Sequence, residues 1–413
     1  MRFGTNQIFI FMNSHKFLCL FLFCFWSCQG QKNKTSPSNS QQPKQETNSI
    51  VGGGCEGCEL MYVDMPKNIN AIDTSMGWHA SNAQKLLITG KVFELDGITP
   101  APNVVLYYWH TDINGYYSNG NGTAKRHGKL RGWVKTDKQG NYAIYTNRPT
   151  AYPDNSEPQH IHIAIKEPDI QQEYYIDDLV FDDDPILYQK NKAGRKYENR
   201  GGSSVLRVLM SQDVQIAEHN IILGLHIPNY PKKTKQTINS GLSVGEDSPS
   251  FIPFHAWGTD KDTRVCPVCK YGRYWGILLF VGDNPDWQDI RKWLVFLEKE
   301  SEKKGKELKV YFVYGNSKNY NAQNRRKELE TLGNELKINN LALTFVPSMQ
   351  DTESEVHLNK INPEVKNTFV IYRHRKILQK FINFDATQEN FQILSDFLEK
   401  NKSPYNHLSD IKH

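Results

Sequence analysis

Tyr152-Pro-Asp-Asn-Ser-Glu-Pro-Gln-His160-Ile-His162, running on as Ile163-Ala-Ile165, is the stretch from which the fold is read. As a strand it puts His160 and His162 on one face, because side chains alternate with period two. Two imidazoles on one face are half of a metal site, and Tyr152, eight residues before His160, can add an anionic oxygen. An H-x-H on an amphipathic strand is more often a surface or hydrogen-bonded pair. The weight therefore comes from the flanking chain.

Upstream, short alternating runs at 86–93, 104–109, 132–136 and 141–146 are separated by turn signals at Asp96-Gly97, Pro100-Ala-Pro102 and Asp137-Lys-Gln-Gly140. With 160–165 they make a series of short strands with no long helical period between them. This spacing predicts an all-β sandwich.

Four ordered segments then become specific: Trp109-His-Thr-Asp112-Ile-Asn-Gly115-Tyr-Tyr117, Thr136-Asp137-Lys-Gln-Gly140-Asn-Tyr142, Pro149-Thr-Ala-Tyr152-Pro153 and Pro158-Gln-His160-Ile-His162. They resemble the intradiol ring-cleavage dioxygenases, over about residues 55–231, with 221–228 expected as the closing strand. The resemblance implies a β-sandwich and a ferric ion held by Tyr117, Tyr152, His160 and His162, with Tyr117 and His160 equatorial. Two phenolates suit ferric iron, and two neutral imidazoles leave a further position open. It also implies that a catechol dianion displaces Tyr152 and that O2 opens the ring between the hydroxyl-bearing carbons. One departure stands out. Family enzymes that cleave simple catechols commonly carry Arg three residues before the first His, where this chain has Glu157. Arg131, Arg148 and Arg126 are the candidates to replace that charge through space, and Arg131 joins Tyr152 as a catalytic candidate. The acidic run from Asp177 to Asp184 lacks the glycine and spacing of a calcium loop and reads as a solvated turn.

The 413 residues suggest two or three domains, and the 38% hydrophobic content fits domains separated by polar linkers. A formal charge of +5, spread along the chain, gives no reason to expect a nucleic-acid partner. At the start, Lys16 precedes an apolar run from Phe17 to Trp26, closed by Ser27-Cys28. This order is that of a secretory signal, and residues 1–28 resemble a bacterial lipoprotein signal with Cys28 as the lipidated residue. The protein is thus expected to be exported and lipid-anchored in the cell envelope, at an outer membrane or the cell surface. Residues 29–54 read as a flexible tether.

Beyond Cys19, Cys24 and Cys28, two C-x-x-C pairs remain, Cys55/Cys58 and Cys266/Cys269. In an oxidising envelope, close pairs are most simply disulfides. Residues 232–250 form a second polar linker. Beyond it, strands at 275–281, 308–314 and 341–346 alternate with helices at 287–304 and 322–336, followed by a hairpin over 368–382 and a helix over 389–400. This order predicts an α/β domain over 251–405 that resembles the thioredoxin-like fold. Cys266-Pro-Val-Cys269 precedes the first of these strands, and Asn367 stands where a thioredoxin places its cis-proline. A structural disulfide and a redox pair are equally open there. Two functions follow: a ferric dioxygenase acting on a catecholic substrate with O2, or a surface-anchored binding or thiol-redox protein in which the sandwich is a scaffold.

Overall fold

The computed structural model describes residues 50–55, 57–118, 126–231, 238–405 and 407–410. The signal with Cys28, most of the 29–54 tether and residues 232–237 lie outside them. Among the described residues no helix is long and apolar enough to cross a membrane.

The first half contains β1 (Ile72–Thr74), β2 (Lys85–Phe93), β3 (Val105–His110), β4 (Arg131–Lys135), β5 (Asn141–Asn147), β6 (His160–Lys166), β7 (Tyr174–Tyr175) and β8 (Leu179–Phe181). It continues with α1 (Pro185–Lys192), β9 (Val205–Leu206), β10 (Val208–Ser211), β11 (Val214–Glu218) and β12 (Ile221–Ile222). One sheet runs β1-β5-β2-β11-β10, with β12 on β2; the other runs β4-β3-β6-β8-β9, with β7 on β6. The five strands expected from alternation all form, within one residue of the expected bounds. Leu86, Ile88 and Ile144 of the first sheet meet Leu106, Tyr108, Ile161, Ile163 and Phe181 of the second in one buried core, so the two sheets make a sandwich. Because Ile161 and Ile163 point into that core, His160 and His162 are forced onto the outer face of β6.

The closing strand expected over 221–228 stops after two residues. The chain bends at Gly224 (φ +75°), where a Cβ would lie 2.3 Å from the Tyr230 ring. Only glycine permits that approach.

The second half contains β13 (Phe254–Trp257), α2 (Pro267–Tyr271), β14 (Trp275–Val281), α3 (Trp287–Lys304), β15 (Leu308–Tyr314) and α4 (Ala322–Glu335). It ends with β16 (Ala342–Phe345), β17 (Thr368–Arg373), β18 (Lys376–Ile382), α5 (Gln388–Lys400) and β19 (Ser409–Asp410). The sheet order is β13-β16-β15-β14-β17-β18, with β14, β15 and β16 mutually parallel and β17, β18 and β13 antiparallel to their neighbours. β14 is buried along its whole length, as its unbroken apolar run requires. Ile277, Leu279 and Val281 pack with Trp293, Leu329 and Leu394 of α3, α4 and α5, while Leu278 and Phe280 face Phe251, Val268 and Met349. The helix after β14 opens on Asp286, whose carboxylate caps Asp289 N, and the C-x-x-C lies on α2 ahead of the strand. Asn367 enters β17 with both side-chain groups bonded to the backbone of Phe384.

The described part of 232–250, read from composition as a polar linker, is bonded to both halves. Ser203 N donates to Gly245 O, Gly245 N to Ile377 O, and Ser248 N to Arg375 O. Asp247 takes Arg207 Nη2 at 2.6 Å, and Lys376 Nζ, in a buried side chain, donates to Ser203 O at 2.8 Å. Glu218 accepts from Arg373 Nη2 at 3.1 Å and from Ser403 Oγ at 2.7 Å, and β19 returns to pair with β10. Asp247 faces two largely buried cations, so its removal leaves Lys376 without an acid and Arg207 with only Asp182. Asp247→Asn is expected to lower stability by roughly 2–3 kcal/mol, read from the urea-unfolding midpoint, while Asp213→Asn at the exposed Lys85 pair is expected to leave that midpoint unchanged.

Candidate metal centre

The outer face of the β3–β6 sheet carries an aromatic layer. In the antiparallel register Trp109 lies opposite His162, and its ring stacks on the His162 imidazole at 4.8 Å and on His127 at 4.0 Å. Tyr107 and Met61 extend this layer, and the Cys55–Cys58 disulfide loop covers it. His162 is thus held by stacking on one side and by its own strand on the other.

Two loops bring the tyrosines to the histidines. Asp112 Oδ1 accepts Asn114 N and Tyr116 N, folding the chain after β3 into a tight Asx-type turn. Thr111 Oγ1 donates to Thr150 O and Thr150 Oγ1 to Ile113 O, lacing this turn to the segment that carries Tyr152. Gly115 has φ +79°, and a Cβ there would lie 2.2 Å from Ala151 O. The motif glycine is therefore what lets the loops touch and sets Tyr117 beside Tyr152. The Thr136–Tyr142 motif does different work. Asp137 caps the β4–β5 turn by accepting Gln139 N and Asn141 N, and Tyr142 is buried against His219 O.

All four sequence-derived ligand candidates meet. Tyr117 Oη lies 2.8 Å from Tyr152 Oη and 2.7 Å from His162 Nε2, and Tyr152 Oη lies 3.2 Å from His160 Nε2. An ion about 2 Å from each donor sets neighbouring donors roughly 2.8–3.3 Å apart, which is the spacing found. The opposite ring nitrogens are tied back. His160 Nδ1 donates to Pro158 O at 2.7 Å and His162 Nδ1 pairs with Asp178 Oδ1 at 2.8 Å, so each Nε2 lone pair is aimed at the cluster. Burial lowers the His160 pKa and keeps the imidazole neutral, as a ligand must be. Burial raises both phenols above their ordinary value, and at Tyr117 the Tyr152 hydroxyl adds to the effect. Without a cation they stay protonated; a hard cation among them supplies the charge that ionises them. This donor set fits ferric iron.

Among the described residues, His160, His162 and Asp178 also form a group with ligand atoms within 4.8 Å of one another. Asp178 reaches His162 through Nδ1, on the far side from the tyrosines, and so orients the imidazole instead of closing the four-atom cluster. The acidic run around Asp178 conceals this role in the sequence, because only the pairing of Asp178 with His162 distinguishes it from its neighbours.

Of the arginine candidates, Arg131 belongs to the layer behind the ligands. Its Nη2 bonds Asp64 Oδ2 at 2.8 Å and its guanidinium lies over Trp133. Arg148 is consumed by a two-pronged pair with Asp183 and by Gln159, over the Phe181 ring. Arg126 stands near Gly57 on the disulfide loop. Glu157 bonds Lys190 at 2.6 Å and Arg195 at 3.3 Å. Cys266 and Cys269 are disulfide-bonded in the second half, where Cys269 lines a cavity against Asp182, Asp183 and Arg207 of the sandwich. They take no part in the tyrosine and histidine cluster.

The sequence profile of the Dioxygenase_C family, described as dioxygenase, matches residues 62–198, a span that contains all four ligand candidates. Catechol 1,2-dioxygenase of Acinetobacter baylyi is 32% identical over 72 residues, 17% of this chain and 23% of that protein, so the match spans about a quarter of the relative. Three solved structures are similar at low scores. The dioxygenase domain of a dioxygenase and carbohydrate-binding fusion from Streptomyces sp. SirexAA-E is 20% identical, covering 37% of this chain and 88% of that one, with TM-score 0.29. Chlorocatechol 1,2-dioxygenase from Pseudomonas putida is 17% identical over 39% and 68%, with TM-score 0.30. Hydroxyquinol 1,2-dioxygenase from Pseudomonas putida DLL-E4 is 23% identical over 45% and 68%, with TM-score 0.29. Residues 62–198 thus carry the family's sequence pattern.

Removing the His162 orienter is expected to loosen metal binding without unfolding the sandwich. Asp178→Asn should weaken it about 10–100-fold in a chelator competition, with circular dichroism unchanged. Gly115→Ala combines a positive φ with a clash on Ala151 O, and should both lower stability by about 1–3 kcal/mol and reduce metal content.

Proposed function

We propose that the sandwich is a non-haem ferric intradiol dioxygenase that cleaves the ring of a catecholic substrate with O2. The observation that carries this reading is the convergence of two phenol oxygens and two imidazole Nε2 atoms at 2.7–3.2 Å spacings. When bound, ferric iron supplies the Lewis acidity that prepares a chelated catecholate for attack by O2. The protein groups then divide by mobility. His160 and His162 are fixed through Pro158 O and Asp178, and Tyr117 is fixed by the loop closure at Gly115. Tyr152 sits at the rim, followed by the exposed residues 153–156, and is the ligand free to move aside. Its oxygen is then placed to accept a proton from the substrate hydroxyl as the ring binds. Trp109 and His127 wall the site off from water behind the histidines. Export and lipid anchoring through Cys28 complete the proposal, and the two C-x-x-C disulfides suit an oxidising compartment.

Iron-supplemented expression should yield about one ferric ion per chain, with visible tyrosinate-to-iron absorption and stoichiometric O2 uptake on adding catechol. Tyr117→Phe and His160→Ala should lose colour and iron while keeping their fold. A colourless, iron-free native chain rules the reading out.

A second reading, thiol exchange in a thioredoxin-like C-terminal half, is favoured by one observation. Cys269 is exposed and lines the cavity against the sandwich, whereas Cys266 is only 9% exposed. On this reading a mild dithiol should open the pair in the folded protein, with Cys269 alkylated first; resistance until unfolding makes the disulfide structural.

A further inference from the structure

We propose that Arg195 is the residue that binds the negative charge of the substrate, filling from a distant part of the chain the role left vacant by Glu157. This rests on the catechol-cleavage reading and adds to it the source of the substrate-binding charge.

A cavity of about 390 Å³ opens against His162, the one ligand candidate in its lining, and is walled also by Tyr175, Asp178, Arg195, Lys196 and Arg200, within the size range of small-molecule sites. A ring entering as a dianion needs a cation there. Arg131 and Arg148 are engaged by Asp64 and Asp183, and neither lines this cavity. Arg200 is committed to Glu198 and to Gly52 O. Lys196 also lines the cavity but is exposed, whereas Arg195 is half-buried and, among the described residues, is held by one ion pair, Nη1 to Glu157 Oε2 at 3.3 Å, with its guanidinium 5.5 Å from the Tyr197 ring centre. A guanidinium has five N–H donors, so this pairing leaves capacity to meet an incoming oxyanion.

The placement is built by a helix end. α1 stops at Lys192, Gly194 turns at φ +89°, and Arg195 N bonds back to Lys190 O at 3.0 Å. That closure delivers Lys190 and Arg195 together to Glu157. The charge arithmetic then changes sign. Glu157 alone contributes −1 beside the cluster, while Glu157 with Lys190 and Arg195 contributes −1 + 2 = +1. Asp177, Asp178 and Glu198 also line the cavity and stand against Arg195, Lys196 and Arg200, so its wall carries three acids and three cations, and Lys190 adds its charge from behind Glu157. A carboxylate that looks hostile to a catecholate is therefore the bracket on which the cation is mounted.

The test uses the iron-loaded full chain, titrated with 4-nitrocatechol and followed by visible absorption, with imidazole as a neutral ligand for the same open position. Arg195→Ala should keep native iron content and tyrosinate absorption, bind 4-nitrocatechol about tenfold more weakly, and bind imidazole as before. Arg195→Lys should recover part of the loss. If Arg195→Ala binds 4-nitrocatechol like the native chain, or loses both ligands equally, the role of Arg195 is overturned and the iron site stands. A native chain that takes up no iron, or takes up iron but no 4-nitrocatechol, overturns the dioxygenase reading and this proposal together.

Discussion

The contact on which the site depends is the one between Gly115 and Ala151 O. No strand carries Tyr117 or Tyr152; both stand on loops, and loops hold a distance of 2.8 Å between two phenols only when their backbones are tied. Asp112, Thr111 and Thr150 supply the ties, and the missing Cβ supplies the room. The histidines face the opposite situation. Their placement follows from the pleat of β6, because burying Ile161 and Ile163 leaves no other face for them. The centre thus combines two rigid donors from a sheet with two donors from a laced rim, and the rim is where a ligand can leave.

Those two constructions differ in how plainly the sequence announces them. Alternation marks β6 and the core strands, and an unbroken apolar run marks β14, so these elements are legible in the sequence. The four ligands could be named because each sits in a short motif whose Asp, Gly or Pro has a local backbone task. What composition conceals is pairing at long range. Asp178 looks like any acid in an acidic run, and only the sheet geometry sets it against His162. Arg131 lies opposite Trp109 across the β3–β4 pair, a neighbour that only the register reveals, and its Nη2 is bonded to Asp64. Residues 238–250 are polar and so resemble a tether, but their backbone groups are spent on bonds to both halves.

The join between the halves has a feature of its own. The β17–β18 turn is His374-Arg375, with φ +49° and +64°, a conformation usually given to Asn-Gly. Here it is held by Arg375 N on Gly272 O, by Ser248 N on Arg375 O, and by Arg375 Nη2 on Ser250 Oγ. The neighbouring Arg373 and Lys376 are spent on Glu218 and Ser203 of the sandwich. A strained, basic turn is kept where surrounding bonds over-determine it. The ties converge on β9–β11, so the second half grips the sandwich on strands away from β3 and β6.

That separation bears on what each half can do. The ligand cluster lies on the outer face of the β3–β6 sheet, whereas the grip of the second half falls on β9–β11 and on the return strand β19. Among the described residues, the α1 segment touches both regions. Its Leu187, Tyr188 and Asn191 line the cavity that also contains Cys269, while its end presents Lys190 and Arg195 to Glu157. One short helix thus touches the cavity between the halves on one side and fixes the charge beside the metal ligands on the other. Its position is set by Asp184, which caps Ile186 N and also accepts Gln159 N, the residue before His160. The same buried carboxylate therefore fixes both the start of the helix and the entry of the histidine strand.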